Sequence, residues 1–159
     1  MTAPAHNAAD ISLSRLFQRL HAEGRTALVP FVTAGYPSVD ESMDVLDALV
    51  RAGADVIELG IPFSDPLADG PTIQRASFRA LEQGMSVDGV LELLSRFRTR
   101  HDTPVVLFTY LNPVLHHGFT EFLEEAREAG AQGLLLTDLP AGGDAEKEEA
   151  VREAGRDLI

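Results

Sequence analysis

Three joints along this chain share one spelling. Ala52-Gly53-Ala54-Asp55, Ala129-Gly130-Ala131-Gln132 and Ala154-Gly155-Arg156-Asp157 each follow a segment of helical period, place glycine where a helix stops, and then start a strand. A joint repeated in this way sets the order helix, turn, strand, and constrains the fold more than any single motif. The apolar runs are 27–33, 55–60, 104–110 and 131–137, with 157–159 reading as the first residues of a fifth. They are too short for stable helices and too continuously apolar for strands wetted on one face. Such runs suit parallel strands with helices covering the sheet.

Helical periodicity fills the intervals. It runs over 12–23 with Leu13, Leu16, Phe17 and Leu20 on one stripe, then from a cap at Ser38 or Asp40 to about Ala52. It returns over Thr72–Gln83, entered through Pro71, from Ser86 to about Arg100, over Thr120–Ala129, and from Asp144 to Ala154. Pro30 predicts an irregularity in the first strand, and Asn112-Pro113 predicts a break after the third. Strands alternating with helices of this length imply a parallel sheet with right-handed crossovers. A closed (β/α) barrel and an open doubly wound sheet both satisfy that pattern. No G-x-G-x-x-G follows the first strand, which favours the barrel. A full barrel needs eight strands and typically about 250 residues, whereas this chain has 159. The expected fold is therefore α/β: a partial (β/α)8 barrel of about the first four to five units, spanning 11–159 after a disordered arm at 1–10. Its unpaired edges are expected at the first and fourth strands.

Charge and cysteine content narrow the chemistry. Twenty-five acidic against thirteen basic residues give a formal charge of −12, which disfavours nucleic acid and anionic membrane as partners. The absence of cysteine excludes a thiolate nucleophile, a disulfide framework and a cysteine-based metal site. No apolar run approaches the roughly eighteen residues of a membrane helix, and residues 1–10 lack an apolar signal core, so a cytoplasmic protein is expected.

Chemistry concentrates in 56–71. Alternation puts Val56, Glu58 and Gly60 on one side of the second strand and Ile57 and Leu59 on the other, so a carboxylate interrupts a buried element. The following loop carries Pro62, Asp65, Pro66 and Asp69 and ends in an Asp-Gly-Pro turn, which makes it stiff. An acid at the C-terminal end of a strand, followed by a rigid acidic loop, is where parallel β/α proteins keep their reactive groups. On the residues alone, Glu58 could instead be a structural carboxylate paired with Lys or Arg, and Asp69 could be plain turn chemistry. His116 and His117 are adjacent and do not converge on one ion. With no third ligand nearby they read as a solvated loop, and no metal site is expected.

The run 57–74, Ile-Glu-Leu-Gly-Ile-Pro-Phe-Ser-Asp-Pro-Leu-Ala-Asp-Gly-Pro-Thr-Ile-Gln, closely resembles the tryptophan synthase alpha chain family. Matches at Pro30–Pro37, Thr109–Pro113 and Thr137–Pro140 follow in that family's order. The resemblance implies a TIM barrel that cleaves indole-3-glycerol phosphate to indole and glyceraldehyde 3-phosphate in tryptophan biosynthesis. It also implies an alpha2-beta2 tetramer with a PLP-dependent beta chain that receives the indole through a tunnel. By the same resemblance Glu58 is the acid/base group and Asp69 orients the indole. Phe31, Ile73, Tyr110 and Leu135 form the indole pocket, and Pro62, Asp65 and Pro66 meet the beta chain. No metal or organic cofactor belongs to this chain. Glu58, inside an apolar strand, is expected to have a raised pKa, and Asp69, in a hydrated loop, to stay ionised.

The family holds the substrate phosphate mainly with loops after later strands and closes the site with a loop after the sixth. The resemblance therefore implies little or no lyase activity, and marginal folding, for these 159 residues alone. Two alternatives stay open: a non-catalytic module that binds or modulates the beta chain, and another barrel enzyme acting on a phosphorylated intermediate.

Overall fold

Residues 12–159 are described by the computed structural model, and the arm expected over 1–10 lies outside them. In chain order the elements are α1 (Leu13–Ala22), β1 (Phe31–Thr33), α2 (Val39–Arg51), β2 (Ile57–Gly60), α3 (Pro71–Glu82), α4 (Val87–Arg98), β3 (Val105–Thr109), α5 (Leu111–His117), α6 (Phe119–Ala129), β4 (Gly133–Leu136), α7 (Ala145–Glu153) and β5 (Asp157–Leu158). Every strand pairs in parallel with its sequence neighbour, in the order β1-β2-β3-β4-β5. A doubly wound sheet reverses its order at a switch point. None occurs here, so the sheet is an arc of a (β/α) barrel.

The helix limits follow from local chemistry. The side chains of Ser38, Ser86 and Asp144 accept from the amides of Glu41, Gly89 and Lys147, capping α2, α4 and α7. Pro71 occupies the first position of α3, where its missing N–H is no loss. At the three repeated joints Gly53, Gly130 and Gly155 have φ of +89°, +90° and +70°, the left-handed turn that releases each helix toward the next strand. Pro30 lies just ahead of β1 and leaves that strand three residues long, though its carbonyl still accepts from the Glu58 amide at 2.9 Å.

Two expectations change here. Asn112-Pro113 does not break the chain into a loop; both residues lie inside α5. Pro113 falls in the first turn, where its lack of N–H is tolerated, and the Asp138 carboxylate accepts from the Leu111 amide at 2.7 Å. The sheet edges are β1 and β5, because β5 pairs with β4 through Gly133↔Asp157 and Leu134↔Leu158.

Two clusters bury the sheet. Ile57, Leu59, Leu107, Leu134 and Leu136 face the helical layer and pack with residues such as Leu94, Phe97 and Phe122. On the opposite, inner face Leu13, Leu16 and Leu20 of α1 pack on Val56 and Val106, with Leu135 against them. Phe17, expected on that stripe, is 43% exposed. A Cβ on Gly133 would stand 3.2 Å from a Leu13 methyl and 3.0 Å from the Asp157 carbonyl, so a bare backbone lets α1 sit this close.

Candidate active site

Glu58 lies in register between Phe31 of β1 and Val106 of β3. Its same-side strand neighbour Val56 and its register partner Val106 both belong to the cluster under α1. Glu58 therefore stands on the inner face, above the plug that α1 makes, and not on the helix-covered surface. Among the described residues no Lys, Arg or His pairs with it and nothing donates to its carboxylate. Burial alone pushes that carboxyl up from its ordinary 4.5. The structural reading of Glu58 as one half of an ion pair thus fails.

Beyond β2 the chain folds over the end of the sheet. Phe31, Asp69, Ile73 and Tyr110 line one cleft there, together with Gly60, Phe108 and Thr109. The Phe31 ring lies edge-on to Phe108 at 5.1 Å and the Tyr110 ring tilts on Phe63 at 5.4 Å. A Cβ on Gly60 would come within 2.6 Å of the Phe31 ring, so this glycine makes the space in which Phe31 lies. The walls close to a cavity of about 10 Å³, room for about one water. The Tyr110 hydroxyl accepts from the Ala68 amide at 2.9 Å, and Gln74 Nε2 donates to the Asp69 carbonyl at 2.9 Å.

Asp69 differs from expectation. It is half-buried, and burial raises its pKa, while the hydrogen bond from Tyr110 works in the opposite direction. Its ionised form is favoured by a phenol rather than by bulk water. Leu135 does not line the cleft; it pairs with Phe108 and packs against the α1 cluster. Pro62 and Pro66 are buried, whereas Asp65 is exposed and Leu67 is 96% exposed. The two prolines shape the loop from within, and its outward surface is Asp65 and Leu67. Sequence reasoning missed Leu67. It also missed Thr109, whose buried hydroxyl has no partner among the described residues; a lone hydroxyl in an apolar strand was the available signal.

The histidine pair is also corrected. His116 and His117 close α5 and are not in a loop. His117 Nε2 meets Glu125 Oε2 at 2.7 Å, and Nδ1 lies 3.4 Å from Asp88 Oδ1. The folded α4 and α6 supply the acidic neighbours that are absent nearby in sequence, and the group forms an ion-pair cluster on the helical layer.

Comparison with known proteins agrees with this geometry. The family model for the tryptophan synthase alpha chain matches residues 17–159. A tryptophan synthase alpha chain of Xanthomonas oryzae pv. oryzae is 56% identical over 145 residues, covering 90% of this chain and 54% of the relative. The crystal structure of tryptophan synthase subunit alpha from Legionella pneumophila str. Paris superposes with a TM-score of 0.89 at 40% identity, covering 98% of this chain and 58% of that one. A chain from a structure of the a2b2 tryptophan synthase complex of Pyrococcus furiosus gives a TM-score of 0.79 at 42% identity, covering 83% of this chain and 53% of that one. The chain thus spans little more than half the length of the relatives it matches.

Proposed function

The chain belongs to the tryptophan synthase alpha chain family, and from that premise we propose that it carries the acid/base pair of a lyase site that cleaves indole-3-glycerol phosphate to indole and glyceraldehyde 3-phosphate. In this retro-aldol step the indole carbon bearing the glycerol chain gains a proton. The carbon–carbon bond breaks, its electron pair returns to the ring, and the adjacent hydroxyl loses its proton to become the aldehyde. Glu58 exchanges the proton, because a carboxyl raised toward neutrality by burial can both give and take one. Asp69 accepts the indole N–H and stabilises positive charge as the ring is protonated. Phe31, Ile73 and Tyr110 enclose the flat ring. Neither proton movement calls on a metal or an organic cofactor.

The observation that carries this reading is the unpaired, desolvated Glu58 carboxyl on the inner face beside the Asp69 cleft. Indole release from indole-3-glycerol phosphate is the test of the chemistry, and turnover unchanged by Glu58→Gln would overturn it. Indole added to labelled chain should perturb the resonances of Phe31, Ile73 and Tyr110; perturbations confined to another surface would move the site. The Pyrococcus complex supports a PLP-dependent beta chain as partner, and Asp65 and Leu67 are the exposed loop residues suited to meet it. An alpha2-beta2 tetramer in the cytoplasm completes the proposal. Among the described residues no helix is long and apolar enough to cross a membrane.

A further inference from the structure

Tyr110 enters the site as part of an apolar wall, yet its polar end is what the fold engages. The residue is 4% exposed and stands at the end of β3, immediately before α5. Its ring is held on Phe63, and its hydroxyl oxygen accepts from the Ala68 amide across 42 residues of sequence. The phenol proton is then free for the neighbouring Asp69 carboxylate, and the two groups influence each other as such a bond requires. The loop needs this hold. Leu67 and Ala68 are exposed, the turn bond from the Asp69 amide to the Pro66 carbonyl is long at 3.4 Å, and Gln74 grips only carbonyl groups.

We propose that Tyr110 is a positioning residue: its phenol ties the 68–69 peptide to the end of β3 and sets the direction of the Asp69 carboxylate. This deepens the lyase reading and rests on it for the role of Asp69. An indole N–H meets an acceptor already aimed by the protein, with no loop to order at the moment of binding.

The test needs no substrate. The chain has two tyrosines and no tryptophan, and Tyr36 is 47% exposed, so Tyr36→Phe leaves Tyr110 as the one phenol in near-ultraviolet absorbance. Adding Asp69→Asn, which is nearly isosteric, should lower the phenol titration midpoint by on the order of one pH unit. Conversely, Tyr110→Phe keeps the ring but should raise the Asp69 midpoint seen by carbon NMR. It should also speed exchange of the Ala68 amide about fivefold. Circular dichroism identifies a variant that does not fold, and the other arm then decides. Midpoints that stay put in folded variants overturn the proposal. Unmoved midpoints with Glu58-dependent indole release would reject the strut and keep the lyase reading; coupled midpoints without Glu58-dependent release would do the reverse.

Discussion

Glu58 and Asp157 share one row of the sheet, joined through Val106 and Gly133, and differ in what meets their oxygens. Asp157 accepts the amide of Leu13 at 3.1 Å. That amide opens α1, whose flanking Ser12 makes no side-chain cap; the carboxylate therefore serves as a cap supplied from the far end of the chain. Glu58 meets no such donor, because the start of α1 reaches β5 and not β2. One acid is committed to the fold, and the other keeps the cost of its desolvation and with it a raised pKa. Equal height in a sheet does not assign equal roles. What approaches from beyond the sheet assigns them.

That contrast can be broken in four ways, the first with the largest effect. Glu58→Gln should reduce indole release by about 10²–10⁴-fold with thermal unfolding undisturbed; a lost fold with activity kept per folded molecule would exchange the roles of the two acids. Leu20→Ala, in the α1 plug and 1% exposed, should lower stability by about 2–5 kcal/mol, read by denaturant titration. Asp157→Ala should cost about 1 kcal/mol through the lost cap and leave the Glu58 titration where it was. A shift of the Glu58 midpoint in that variant would show the two acids to be coupled.

The smallest effect is a slope. Folding raises the Glu58 pKa above its ordinary 4.5, so between the ordinary and raised values the folded chain holds a proton that the unfolded chain has released. Stability must fall as pH rises through that window. Asp69, raised from 3.8, adds the same sign. Melting temperatures across this range should decline in the parent, and less so in Glu58→Gln; equal slopes would mean that Glu58 is not desolvated.

Much of the fold was legible because its signals are local. Ser38, Ser86 and Asp144 cap through bonds that span three residues, and Pro71 and the Gly53, Gly130 and Gly155 exits act through their own backbone angles. Glu58 could be placed on one side of β2 by alternation alone. Errors arose where distant elements decide. Pro113 reads as a breaker until Asp138, from beyond β4, supplies an acceptor for the start of α5. Pro62 and Pro66 sit inside the loop once it folds back, which leaves Leu67 outward. Leu135 shares a face with the cleft residues, but α1 claims its side chain.

By itself the sequence determined an alternating α/β chain, the ends of most of its helices, and a reactive strand-to-loop segment, since these depend on bonds and periodicities within a few residues. Tertiary structure alone decided that the strands follow one another without reversal, that Glu58 lacks a partner while Asp157 has one, and that a tyrosine hydroxyl restrains Asp69. Those outcomes depend on which groups arrive from tens of residues away, and desolvation and hydrogen bonding are set by that arrival.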